Sequence, residues 1–332
     1  MDPLTHALAS YSLARAAFPR LRASGQVAAV LAGIAASLDF FTVYLGPSAY
    51  LQFHRSATHS LLAALAFAAL FTSLAALVRR RDSPSQPVRL VFLAALVAAF
   101  LHLVLDVCQN EGVAPLWPFS PRRYQLDWTA RLDLVVLAIL LAGVLLPRLA
   151  GLVTEEIGAR SKTPRGRVGA AIALAVAGSY LGARGIAHSG AVAMLDSRSY
   201  HGESPHLTAA FGESVSPLRW HGIVETESAL HSVDLSVAPG SPFDPEAGAI
   251  AYKPEPSAAL QAARKSPAAK LFLAVARFPK ASVEQTEAGY RIELRDFPYA
   301  SGAVSGRHVA AVIETDSSAQ ILGSELIWDH GR

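Results

Sequence analysis

Residues 90–107 read Leu-Val-Phe-Leu-Ala-Ala-Leu-Val-Ala-Ala-Phe-Leu-His-Leu-Val-Leu-Asp-Val, an apolar run that carries a histidine and an aspartate near one end. Its length is close to the ~20 residues a helix needs to cross the hydrocarbon core of a bilayer. Lipid offers backbone amides and carbonyls no partner, so a stretch of this kind has to satisfy them internally as a helix. Comparable runs lie at 26–45, 61–78 and 132–147, and an Ala- and Gly-rich fifth covers 168–187. The apolar stretch 3–18 is shorter and interrupted by Arg15. Its positive charges follow the apolar part instead of preceding it, which is the wrong order for a signal peptide. It reads as a short or partly inserted helix.

Composition agrees. The 332 residues are 52% hydrophobic and only 17% charged, against about 25% charged in an average soluble chain, and the mean hydropathy is +0.32. Charge is also divided unevenly: 17 Lys/Arg against 9 Asp/Glu in 1–187, then 12 against 17 in 188–332. These figures exclude a soluble single-domain enzyme. The basic balance belongs to the apolar half, so it is not a nucleic-acid footprint, and no helix-turn-helix or basic recognition face is visible. The single cysteine, Cys108, excludes an intrachain disulfide and a Cys-based zinc site.

Lys and Arg alternate between linkers. Arg15, Arg20, Arg22, Arg79, Arg80, Arg81, Arg89, Arg148, Arg160, Lys162, Arg165 and Arg167 fall in one set, and Arg55, Arg122, Arg123 and Arg131 in the other. Twelve against four places the first set in the cytoplasm. The loops 46–60 and 108–131, and everything after 187, then face outward. Beyond 188 the chain changes to short alternating segments with Pro and Gly. Strands are expected at 222–227, 232–237, 290–295, 308–314 and 321–328, a helix at 257–278 with a break at Pro267, and a loop at 236–256. The predicted architecture is a polytopic α-helical membrane domain, 1–187, with about five spanning helices plus a short N-terminal helix. An extracytoplasmic α+β or mostly β domain, 188–332, follows it.

Ionisable groups at membrane helices are costly unless paired, so each is a candidate for function. Residues 1–187 contain His6, His54, His59 and His102, together with Asp39 and Asp106. His102 and Asp106 stand at i,i+4, on one helical face. His54 and His59 straddle a loop-to-helix junction. By the orientation above, Asp39, His54, His59, His102 and Asp106 share the outer boundary. His6 joins them if the short first helix runs inward from that side. Imidazole with carboxylate suits zinc, manganese or iron, and six candidate ligands allow one ion or two. Arg55 is placed to bind a phosphate oxygen or a lipid headgroup, and Arg122 and Arg123 beside Trp117 to do the same, with Trp117 and Tyr124 fitting an interfacial aromatic belt. Asp133 is either an orienting partner for a ligating histidine or a salt bridge to Arg131. The seven later histidines show no ligand spacing.

Thr5-His6, Leu38-Asp39, the heptapeptide His-Arg-Ser-Ala-Thr-His-Ser at 54–60, His102-x-x-x-Asp106 and Leu-Trp-Pro-Phe-Ser-Pro-Arg-Arg-Tyr at 116–124 together resemble the YdjM-like family of bacterial inner-membrane metal-dependent hydrolases. Some members of that family are described as LexA-binding. The likeness is close over about 1–140. It implies a multi-pass inner-membrane protein that hydrolyses a phosphoester or ester of a lipid or lipid-linked substrate, with a divalent metal, zinc first, held by His6, Asp39, His54, His59, His102 and Asp106. Arg55 and Asp133 would assist. The order of ligands is also similar to that of zinc-dependent phospholipase C, as analogy only. Two departures stand out: Ala36-Ser37-Leu38-Asp39 replaces a Pro-Asp-x-Asp pattern, which removes one acid and weakens the case for a second ion, and Val107-Cys-Gln-Asn-Glu-Gly112 replaces a Thr/Tyr/Gly-rich turn. The competing class is a non-catalytic membrane protein with a structural metal or polar cluster and an outer domain that binds an envelope partner. A transporter is disfavoured by the absence of an internal repeat.

Overall fold

The computed structural model describes residues 1–78, 86–156, 165–304 and 308–329. Of the residues used above, Arg79, Arg80, Arg81, Arg160, Lys162 and His330 lie outside the described residues.

The N-terminal helices are α1 (Pro3–Ala17), α2 (Ala23–Ile34), α3 (Pro47–Phe53), α4 (Leu61–Leu77), α5 (Val88–Val107), α6 (Leu134–Glu156) and α7 (Arg165–Asp196). Four of the described helices are long and apolar enough to cross a membrane, or five when 61–77 is counted with the short helices before it. The chain divides into two compact units, 1–39 with 55–186, and 40–54 with 187–332.

In the first unit the helix interfaces are made of alanine. Ala28 and Ala29 of α2 meet Ala94 and Ala98 of α5, and Ala64 and Ala68 of α4 meet Ala95 and Ala99. Large apolar side chains point outward instead: Leu62, Leu65, Leu70 and Leu74 on α4, Leu93 and Phe100 on α5. A soluble core would bury these leucines. Small residues inside and leucines outside is the arrangement expected where lipid solvates the leucines and close backbone approach holds the helices together. Gly143 and Gly169 extend the same logic to α6 and α7: a Cβ on Gly143 would lie 2.2 Å from that of Ala173.

The second unit holds two antiparallel four-stranded meanders. The first is β1 (Leu207–Gly212), β2 (Arg219–Glu225), β3 (Ala229–Ser236) and β4 (Ala249–Tyr252); the second is β5 (Pro279–Thr286), β6 (Gly289–Asp296), β7 (His308–Asp316) and β8 (Ile321–Asp329). Between them lie α8 (Ala258–Arg264) and α9 (Pro267–Leu273), capped by Ser257 and Ser266. The fully buried Trp220 packs with Ala191, Leu195, Val224 and Val233 on one side of the first sheet, and α8 and α9 close the core of the second.

Several expected boundaries are corrected. The run 26–45 is not one α-helix: α2 ends at Ile34 and 3₁₀ turns occupy Ala35–Leu45. Residues 40–54 belong to the second unit, where Val43 and Tyr50 are buried with Val309 and Tyr50 meets the Trp328 ring edge-on. The fifth apolar helix continues nine residues past 187, to Asp196, because Ala191 and Leu195 gain a buried place in the core beneath the first sheet. The helical stretch expected at 257–278 is broken at Pro267 as expected and ends at Leu273, while β1, β4 and β5 are strands that the alternation did not reveal.

Candidate metal centre

Asp2 starts α1. Its carboxylate accepts from the Thr5 amide and hydroxyl, and Pro3 occupies the first helical position, where its missing N–H costs nothing. His6 therefore sits in the first turn. His102 and Asp106 share a face of α5, as their spacing requires. His59 closes a single 3₁₀ turn, Ala57–His59, and the next residue, Ser60, caps α4 by accepting from Ala63 N at 3.0 Å.

These four side chains meet around Asp106. Its Oδ1 is 3.0 Å from His6 Nε2, and its Oδ2 is 3.0 Å from His59 Nε2 and 3.3 Å from His102 Nε2. His59 Nε2 and His102 Nε2 face each other at 3.2 Å, and the His6 and His102 rings stack with centroids 3.7 Å apart. Candidate ligand atoms of His6, His102 and Asp106 all fall within 4.8 Å of one another. None of the four residues is more than 2% exposed.

The far nitrogens decide what the near ones offer. His102 Nδ1 donates to the Gly33 carbonyl at 2.7 Å, and His59 Nδ1 donates to Asp39 Oδ2 at 3.0 Å. With the proton on Nδ1, each neutral ring has its Nε2 lone pair available. Those lone pairs and a carboxylate oxygen converge at 3.0–3.3 Å, an arrangement that a metal cation, or a second ring proton shared with Asp106, would stabilise. The donor set of His6, His102 and Asp106, two imidazole nitrogens and a carboxylate with His59 Nε2 beside it, fits zinc, iron or manganese. The Met1 amino group and Gln109 Nε2 also meet Asp106 Oδ1.

Not every expected ligand is in this cluster. Asp39 lies on the far side of His59, where its Oδ2 also accepts from Arg55 N at 2.6 Å and Thr58 Oγ1 at 3.1 Å; it orients the imidazole. His54 falls in the second unit, ends α3 and stacks on Tyr50. The Arg55 guanidinium is buried, with Nε 2.6 Å from Glu111, Nη2 donating to Gln109 Oε1 at 3.1 Å and Nη1 3.5 Å from Asp106. Asp133 caps α6, accepting from Val135 N and Val136 N at 3.0 Å, and takes the Tyr180 hydroxyl at 3.2 Å. Burial pushes the Cys108 thiol up to about 11, which makes it a poor ligand.

Gly33, Thr58, Gln109 and Glu111 were not expected at the site. A signal for the last existed: an acid five residues past Asp106, in the segment that departs from the pattern of 1–140. Gly33 is required by contact. A Cβ there would lie 2.0 Å from Ser10 Oγ and 2.8 Å from Ser10 Cβ. Gly33→Ala should therefore push α1 from α2 and shift the carbonyl that holds His102. A destabilisation of about 1–3 kcal/mol is expected, read as a lower melting temperature in detergent together with weaker metal retention.

A match to the YdjM inner membrane protein family covers residues 1–191, more than half of the chain. The chain belongs to this family. The matched region contains all of the first unit, with every residue of the cluster above, and it places the protein in a membrane, in agreement with the spanning helices. Residues 192–332, the larger part of the second unit, lie beyond the YdjM match, and 40–54 lie within it. Comparison with curated proteins and with solved structures gave no match.

Proposed function

We propose that this protein is a membrane-bound, metal-dependent hydrolase acting on a phosphoester or ester bond of a lipid or lipid-linked substrate. The observation that carries the reading is the convergence of His6, His59 and His102 on Asp106, with the outer nitrogens of His59 and His102 already committed to Asp39 and Gly33. These residues would hold a divalent cation, zinc foremost, which would supply Lewis acidity for activating water and polarising an ester oxygen. The chain's own residues prepare the site. Asp39 and the Gly33 carbonyl fix the tautomers of His59 and His102, and Asp106 supplies negative charge to all three imidazoles. Arg55, with its charge matched by Glu111, reaches Asp106 directly and through Gln109. That makes Arg55 a residue that positions Asp106. One ion accounts for the cluster, since Asp39 is engaged on the far side of His59.

The near-complete burial of the four ligands favours a second reading, a structural metal with no turnover. Purified full-length protein separates the two. Metal analysis should find about one ion per chain, consistent with a single four-ligand site, and hydrolysis of phospholipid or phosphodiester substrates should stop with chelator and return with Zn²⁺. Stoichiometric metal without hydrolysis of any lipid substrate supports the structural reading instead. The orientation belongs to the same proposal: twelve Lys/Arg against four put 108–131 and the second unit on the outer side, and a periplasm-dependent reporter fused after Arg332 should be active.

A further inference from the structure

Residues 113–124 form a loop with a rigid base and an apolar tip. Val113 and Tyr124 exchange backbone hydrogen bonds at 3.1 and 2.8 Å, and Val113 and Ala114 are buried. The base is tied to the segments that build the metal cluster: Ala114 N donates to Arg55 O at 3.1 Å, and Leu61 N, two residues after His59, donates to Pro115 O at 2.9 Å. Between these anchors the chain turns back on itself and presents Leu116, Trp117 and Phe119, the last 84% exposed. Arg122 and Arg123 follow at once. Arg122 is exposed and lies over the Tyr124 ring, 5.2 Å from its centroid. No acid occurs in the sequence between Glu111 and Asp127.

An apolar tip alone would face any lipid equally. Arginines set beside a Trp, a Phe and a Tyr add a preference, because that ring belt sits at headgroup depth. A planar guanidinium there matches a phosphate bidentately, and each cation near an anionic surface strengthens binding. We propose that the loop 113–124 grips the headgroup of an anionic phospholipid, with Leu116, Trp117 and Phe119 seated in the acyl boundary and Arg122 and Arg123 on the phosphate. Its anchorage to Arg55 O and Leu61 N brings that headgroup to the element that carries His59. The grip does not depend on hydrolysis.

The test is lipid retention by the full-length protein in detergent, in chelator, measured by native mass spectrometry with phosphatidylglycerol and phosphatidylcholine titrated separately. The wild type should prefer phosphatidylglycerol. R122Q/R123Q should weaken phosphatidylglycerol roughly tenfold to thirtyfold while leaving phosphatidylcholine unchanged, and R122K/R123K should keep most of the preference. Arg219→Gln, a surface charge on β2, should have no effect. If the double Gln variant does not fold, the single R122Q on an exposed side chain carries the same comparison. The proposal is overturned by an undiminished preference in R122Q/R123Q, by an equal loss in Arg219→Gln, or by inorganic phosphate displacing the lipid at millimolar concentration, which would mark a free-phosphate site.

Discussion

Asp106→Asn is expected to strip the protein of its divalent ion and abolish chelator-sensitive turnover while leaving the helices assembled. Both oxygens of Asp106 are in use, Oδ1 toward His6 and Gln109, Oδ2 toward His59, His102 and Arg55. Asparagine has the same shape but no charge, and its amide hydrogens would point at nitrogens that present lone pairs. Replacing a residue that merely orients a ligand costs about 10–100-fold in metal affinity; loss of the carboxylate shared by three imidazoles should exceed ~100-fold on that scale. A buried charge without its partner also destabilises by about 3–5 kcal/mol, and Arg55 loses the charge of one acidic neighbour. Thermal unfolding with and without chelator tells metal loss from misfolding. A ligand bound at 100 times its Kd stabilises by about 2.7 kcal/mol, so chelator should lower the wild-type melting temperature and leave Asp106→Asn where it was. An Asp106→Asn protein that retains one ion per chain would remove the basis of the proposed centre.

The helices of the first unit were legible because lipid enforces them: a run such as 90–107 has one structural solution in hydrocarbon, and composition alone reveals it. The ends were less legible. Hydropathy is continuous from 26 to 45, yet the chain leaves α-helical geometry at Ala35, and Val43 and Tyr50 are claimed by Val309, more than 250 residues away. No local pattern carries that contact. The strands that went unseen, β1, β4 and β5, are all at sheet edges. Edge strands are short or polar so that they do not recruit another chain, and Ala249–Tyr252 has only four residues inside a Pro-rich stretch while Pro279–Thr286 is largely exposed. At the centre, the i,i+4 spacing of His102 and Asp106 predicted a shared face, and they share it. The spacing of Asp39 could show that an acid was near the histidines but not which ring nitrogen it would meet. Gln109 and Glu111 follow the end of α5, where helical periodicity has stopped and their direction is set by Arg55.

The placement of Asp39 makes the second large prediction. Its Oδ2 gathers three donors, the Arg55 amide, the Thr58 hydroxyl and His59 Nδ1. Arg55 has φ +59°, a backbone conformation rarely adopted by non-glycine residues, and the hydrogen bond its backbone N–H donates to Asp39 Oδ2 helps to hold it there. Asp39→Ala removes that acceptor. The Thr58 hydroxyl, 3.1 Å from His59 Nδ1, remains and can donate as well as accept, so His59 exchanges tautomers and its Nε2 becomes a donor for part of the population, which cannot bind a metal. Metal affinity should fall about 10–100-fold, as for other orienting carboxylates, and stability by about 1–3 kcal/mol for each donor left buried without a partner. Asp39→Asn retains a carbonyl oxygen that can accept from His59 Nδ1, so it should recover most of the affinity. A purely structural role for Asp39 predicts something else: both variants would lower the melting temperature, and whatever protein remained folded would bind metal with wild-type affinity. Competition titration against a zinc-chelating dye, on the folded fraction only, distinguishes the outcomes. An unchanged affinity in Asp39→Ala would show that His59 does not need its outer proton fixed, and would undercut the argument that its Nε2 faces the centre as a lone pair.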